Sequence, residues 1–235
     1  MGVRCFVDVA LAEAGQTFDL PDGAARHVQV LRAQPGECVT LFDGRSDVEW
    51  DAEITAMGRK QVGVRLLAAR AVQAELPHAV TLAVVMPAND RMDFLVEKAT
   101  ELGAVALQPL MSERSVLRLH GERAEKKRAH WQGVAVAAAE QCGRVRVPEV
   151  RPVLSLSAFL AQPPAGLRWM GSPGAARTPL PAAGTLTWLS GPEGGLSEAE
   201  QLAAQAAGFL PVGLGLRVLR ADTAPLAVLA WLSLA

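Results

Sequence analysis

The chain is short of cysteine, of net charge and of long apolar runs, and each shortage narrows what it can be. Only Cys5, Cys38 and Cys142 occur, an odd number with no CxxC spacing and no nearby histidine pair, which argues against a disulfide framework and against any metal site. They read as free thiols of a reducing cytoplasm. A formal net charge of −1 carries no global nucleic-acid signature, so any RNA contact has to come from a local basic patch. The longest apolar run, Ala224 to Ala235, falls well short of the roughly 20 residues that span a bilayer, and it reads as a buried helix rather than a membrane anchor. Met1 to Ala10 mixes Arg4 and Asp8 into its apolar residues, unlike a secretory signal. The GK[ST] ending of a phosphate-binding loop and the GxGxxG spacing are both missing.

What is present suffices for one large or two modest domains, since half of the 235 residues are hydrophobic. Four β-branched stretches, Arg4 to Val9, Glu37 to Phe42, Glu49 to Thr55 and Gln61 to Leu67, are separated by turn signals and suit a small antiparallel barrel. Between the first two, Pro21 to Arg32 carries Ala24, Val28 and Leu31 at helical spacing, with Arg26, His27 and Arg32 on other faces as candidate phosphate contacts. The strand pattern is lost over Ala71 to His78, so the expected domains are 1–74 and 75–235.

The second domain alternates strand and helix. Strands are expected at Val80 to Val85, Ala104 to Pro109, Leu167 to Met170 and Thr185 to Leu189, and helices at Asp90 to Leu102, Glu122 to Cys142, Ser155 to Leu160 and from Ser197. Such alternation predicts an α/β fold with a parallel sheet covered by helices, whose ligands sit beyond the strand C-termini, where Gly171, Gly191 and Gly213 lie.

Two of these glycine turns stand out. LSGPEGGLSEAEQ (Leu189 to Gln201) lets the backbone approach a ligand at Gly191, Gly194 and Gly195 before a helix capped at Ser197. A methyl group at Gly191 or Gly194 is therefore expected to clash with the ligand or strain the turn, and Gly194→Ala to weaken ligand binding severely. VGLGLRVLRADTAP (Val212 to Pro225) places Arg217 and Arg220 around the apolar pair Val218 and Leu219, and Asp222 or Thr223 then caps a last helix. Cations beside a glycine turn suit an anion or a carbonyl.

Together with EKATELGA (Glu97 to Ala104), ERSV (Glu113 to Val116), WQGVAVAAAEQCGR (Trp131 to Arg144) and HVQVLRAQPGECVTLFDG (His27 to Gly44), these segments resemble the bacterial 16S ribosomal RNA uracil-N3 methyltransferases, members of the knotted SPOUT superfamily. The resemblance implies a knotted SPOUT-type methyltransferase domain that binds S-adenosylmethionine, preceded by a small PUA-like β-barrel domain that binds RNA. Physical rules alone predict an ordinary unthreaded sheet. Departures from the family's pattern are Leu196 where phenylalanine is usual, Asp222 for glutamate, and Leu216 for a small residue or proline.

Methylation at uracil N3 requires loss of a proton and stabilisation of charge on O2 and O4, which makes Arg217, Arg220 and Arg114 the candidate carbonyl-holding cations and Glu193 the candidate carboxylate. Cofactor contacts are expected from Met170, Gly171, Leu189, Ser190, Gly191, Pro192, Glu193, Gly194, Leu214, Gly215, Val218 and Leu219, with adenine among Leu189, Leu214 and Leu219. RNA contacts are expected from Arg26, His27, Arg32 and Arg144, the substrate being 16S ribosomal RNA within the 30S subunit. Glu122 with Lys126, and Lys98 with Glu97 and Glu101, have the spacing of helical ion pairs. The closing run is apolar on nearly every face, which calls for cover on both sides and, with the resemblance, predicts a homodimer.

Overall fold

The structure is a computed structural model that describes residues 3–59, 61–87, 91–179 and 181–234. The chain divides into two compact units, Met1–Glu75 with Ala139–Val147, and Leu76–Ala138 with Pro148–Ala235.

The first unit holds β1 (Arg4–Phe6), β2 (Thr17–Asp19), α1 (Asp22–Val30), β3 (Cys38–Phe42), β4 (Val48–Met57) and β5 (Val62–Ala71), in the sheet order β1-β3-β4-β5-β2. Period-2 alternation buries Val62, Val64 and Leu66 of β5 and Trp50, Ala52 and Ile54 of β4, while α1 adds Ala24, Ala25 and Val28 to the same core. The expectation of a purely antiparallel barrel needs correction, because β1 pairs with β3 in parallel. A parallel pair needs a long crossover, and the chain between these strands carries both β2 and α1. β2 escaped the sequence pattern because only Phe18, between Thr17 and Asp19, turns inward.

The last part of this unit comes from distant sequence. Arg4 donates from Nη1 to the Ala139 carbonyl at 2.7 Å and from Nη2 to the Arg144 carbonyl at 2.8 Å, and its guanidinium lies 4.1 Å from the Phe42 ring centre. The Phe6 amide donates to Glu140 Oε1 at 2.9 Å. Cys5, His27 and Glu140 meet there, with His27 Nδ1 3.6 Å from Glu140 Oε2. Burial first, and the Glu140 carboxylate second, push the Cys5 thiol up to about 12, so it stays neutral.

In the second unit β6 (Ala79–Val85), α2 (Arg91–Glu101), β7 (Ala106–Met111), α3 (Gly121–Cys142, its last turn belonging to the first unit), β8 (Glu149–Val150), β9 (Leu154–Ser155), α4 (Leu156–Ala161), β10 (Leu167–Gly171), β11 (Thr185–Ser190), α5 (Glu198–Ala206), β12 (Leu210–Val212) and α6 (Thr223–Ser233) alternate. Asp90 and Ala235, expected within the second and last helices, lie outside the described residues. The sheet runs β12-β10-β11-β6-β7-β8, and every pair is parallel. β6 sits inside it and is buried from Val80 to Val85, a run that is apolar except for Thr81. From β6 the chain builds outward to β7 and β8, whereas β11 and β10 lie on the other side, which makes a switch point beside β11.

The final helix is less wrapped than its composition suggests. Val228, Leu229 and Leu232 are buried and the Trp231 ring stacks on buried Trp169 at 5.7 Å, while Leu226, Ala227 and Ala230 are half-buried and Leu234 is exposed. One face docks on its own sheet, and one apolar stripe stays partly open. The helical ion pairs read from spacing are present: Lys126 with Glu122 at 2.7 Å, and Lys98 with Glu97 and Glu101 at 2.6 and 2.7 Å.

Candidate active site

A cavity of about 370 Å³ opens beyond the C-terminal ends of β10, β11 and β12, a volume in the usual range for small-ligand pockets. Three loops wall it. The first, with the end of β10, contributes Met170, Gly171, Ser172 and Pro173; the second, with the end of β11, contributes Ser190, Gly191, Pro192, Glu193, Gly195 and Leu196. The third runs from Val212 through Leu214, Gly215 and Arg217 to Ala221, and Ala224 of α6 closes that side.

Backbone approaches this closely because side chains are absent where they would collide. A Cβ on Gly213 would lie 1.9 Å from the Ala175 carbonyl oxygen, and one on Gly171 would lie 2.7 Å from Cζ2 of buried Trp188. Trp188 and Ser190 share a face of β11 by their spacing, and the indole donates to the Ser190 hydroxyl at 2.7 Å. That bond satisfies a buried N–H and leaves the ring under the cavity floor.

The second loop is braced on every side. The Gly195 amide donates to the Pro192 carbonyl at 2.8 Å, Ser197 and Glu200 form a capping box at the start of α5, and Glu200 Oε1 also accepts from the Glu113 amide at 2.8 Å. Arg114 Nη1 donates to the Gly194 carbonyl at 2.8 Å. The third loop differs: its ends are tied, with the Gly213 amide donating to Ala176 at 3.0 Å, but Leu216 and Val218 are exposed. Gly215 takes φ +115, a conformation that other residues rarely adopt.

Of the residues expected here, Arg217, Arg220, Glu193, Met170, Gly171, Ser190, Gly191, Pro192, Leu214, Gly215, Val218 and Leu219 line the cavity. Three do not. Leu189 is fully buried in the core below, because alternation along β11 turns it away from the face that carries Trp188 and Ser190. Gly194 faces Arg114, and a Cβ there would meet its side chain at an ordinary 3.6 Å, so no protein atom crowds that position. Arg114 itself holds that loop from outside. Beyond the expected residues, Ser172, Pro173, Gly195, Leu196 and Ala221 of the same loops line the cavity, as do Trp188, Gln201, Val212 and Ala224, whose inward direction no local motif reports.

In the first unit Arg26 and Arg32 are exposed, Arg32 at φ +58 just after α1. His27 turns toward Glu140. Arg144 is buried and pairs with Glu75, so its expected place on an RNA surface is also corrected: the motif marks an interior ion pair.

The RNA methyltransferase domain family matches residues 74–233, and the RNA methyltransferase PUA domain matches residues 20–67. The chain belongs to the RNA methyltransferase family. Ribosomal RNA small subunit methyltransferase E of Bacillus subtilis is 31% identical over 234 residues, covering 94% of this chain and 91% of its own. The fold superposes on that enzyme from Neisseria gonorrhoeae, solved bound to S-adenosyl methionine, with a TM-score of 0.92, 36% identity and coverage of 100% and 98%. A Legionella pneumophila structure in complex with bound cofactor SAM gives a TM-score of 0.90 at 32% identity, with the same coverage. Within this family the α/β parallel-sheet unit is the methyltransferase part and the small β-rich unit is the PUA part.

Proposed function

We propose that the chain methylates N3 of a uridine in 16S ribosomal RNA of the small subunit, using S-adenosylmethionine held in the cavity beyond β10, β11 and β12. The observation that carries this reading is one cavity that combines glycine backbone, an apolar floor and two arginines at its rim. It fits an amphiphilic cofactor, since Met170, Trp188, Leu196, Val212 and Leu219 offer apolar surface while loop amides and carbonyls offer polar partners. Bound there, S-adenosylmethionine supplies an electrophilic methyl group. Arg217 and Arg220, both exposed, hold uracil O2 and O4 and stabilise the charge left when the N3 proton departs. Glu193, which lines the cavity on the facing loop, accepts that proton or faces the sulfonium in this reading. Arg114 shapes the loop that carries Glu193 rather than touching substrate.

Residues 1–74 serve RNA binding in this reading, with Arg26 and Arg32 as phosphate contacts, and residues 75–235 serve methyl transfer. The knotted topology that the resemblance implies belongs to the same proposal. A homodimer in the cytoplasm completes the proposal, and the half-buried stripe of Leu226, Ala227 and Ala230 on α6 is the surface a second copy covers. No described helix is long and apolar enough to cross a membrane. Radiolabelled methyl transfer to 30S subunits from a strain lacking the gene, with mapping of the modified base, tests the reading. Label at uracil N3 of 16S RNA supports it; label on transfer RNA, or RNA binding without transfer, overturns it. Light scattering that finds a monomer at micromolar concentration removes the dimer.

A further inference from the structure

We propose that the ion pair between Arg91 and Asp222 is a clamp that sets the third loop of the cavity in its working shape. Arg91, which lies outside the cavity lining, is then a positioning residue for cofactor binding and methyl transfer. This rests on the methyl-transfer reading above and deepens it.

Neither partner makes the contact that its own helix favours. Asp222 holds the N-cap position of α6, yet its side chain makes no capping hydrogen bond to the helix backbone. Its Oδ2 instead accepts from Arg91 Nη1 at 2.8 Å, and its Oδ1 accepts from the Thr223 hydroxyl at 3.3 Å. Arg91 opens α2, where the helix dipole disfavours a cation and favours the Asp93 that follows. Each residue forgoes a local preference, and the bond they share links α2 to the end of the cavity loop, 131 positions away in sequence.

The loop needs such an anchor. Its exposed Leu216 and Val218 contribute no packing, so its shape depends on the tie at Gly213 and on what holds Asp222. Just before Asp222, the Arg220 carbonyl accepts from the amides of Thr223 and Ala224, both at 3.0 Å, so a shift of Asp222 moves Arg220 and the cavity wall with it. The Asp222 side chain is only 11% exposed, whereas that of Arg91 is 42% exposed. Removing the arginine therefore strands a largely buried carboxylate, which relaxes by pulling the loop end toward water.

The test uses the full chain, calorimetry with S-adenosylmethionine and methyl-transfer kinetics on 30S subunits. Arg91→Gln is expected to weaken cofactor binding about tenfold and to lower kcat as well, because Arg217 and Arg220 move with the loop. Arg91→Lys is expected to stay within about threefold of the unaltered chain, since it keeps the charge but loses the fork. Exchanging the charges, Arg91→Asp with Asp222→Arg, is expected to recover part of the affinity that either change alone loses, which a merely structural role of one residue would not produce. If Arg91→Gln does not fold, Asp222→Asn takes its place with the same expectation. A folded variant that binds cofactor and turns over like the unaltered chain, or one that only melts earlier, overturns the clamp alone. An unaltered chain that binds no S-adenosylmethionine overturns the methyl-transfer reading and the clamp with it.

Discussion

The two glycine-rich loops of motif character, 190–197 and 212–222, look alike in sequence and are held in opposite ways. Loop 190–197 is tied along its length by the Pro192–Gly195 turn, the capping box and the bonds from Glu113 and Arg114, and Ser190, Leu196 and Ser197 are buried. Loop 212–222 is tied at its ends and open between them. A loop held by local bonds tolerates the loss of one of them, whereas a loop held at its ends concentrates its dependence on a few contacts. Changes in the first should therefore register in stability, and changes in the open stretch of the second in activity.

The largest effect is expected at the fixed end of the second loop. Gly213→Ala forces a Cβ to within 1.9 Å of the Ala175 carbonyl oxygen, so backbone must move. A loss of more than about 3 kcal/mol in denaturant unfolding is expected, or an insoluble chain. An unchanged midpoint would mean that these backbones are not packed together.

Next comes the open part of that loop, where Arg217→Ala is expected to lower kcat about a hundredfold with a melting temperature within about 1 °C of the unaltered chain. An equal loss of stability would erase the contrast between the loops. Glu200→Ala, in the helix that braces the first loop, removes the capping box and the Glu113 bond together, and should cost about 1–2 kcal/mol in thermal unfolding with a small change in kcat. The smallest effect belongs to Gly194→Ala, whose Cβ meets only Arg114 at ordinary contact distance. Cofactor affinity within about twofold is expected by calorimetry, as for a surface substitution within about 0.5 kcal/mol. A severe loss would put Gly194 back in the cavity wall.

Much of this was legible in the chain, and the misses have a common cause. The strand at Thr185, the cap at Ser197 and the helix over Arg91–Glu101 follow from period, cap chemistry and turn residues within about a dozen positions of one another. Arg144 and Arg114 could not be read that way. Each is a cation near the end of an element, and a sequence cannot say whether such a residue meets water, a ligand or a partner 69 or 80 positions away, as these do in Glu75 and Gly194.

Residue type and spacing specify the elements, the alternation that makes a parallel sheet and the glycines that keep the loops bare, because backbone conformation and burial pattern are local consequences of residue type. The tertiary structure alone decided which glycines face the cavity, since Gly191 lines it and Gly194 does not although they sit three apart in one turn. It alone brought residues 139–147 into the first unit and set Arg91 against Asp222. Those outcomes depend on the direction in which a side chain leaves a folded backbone, and direction exists only once distant segments have packed against each other.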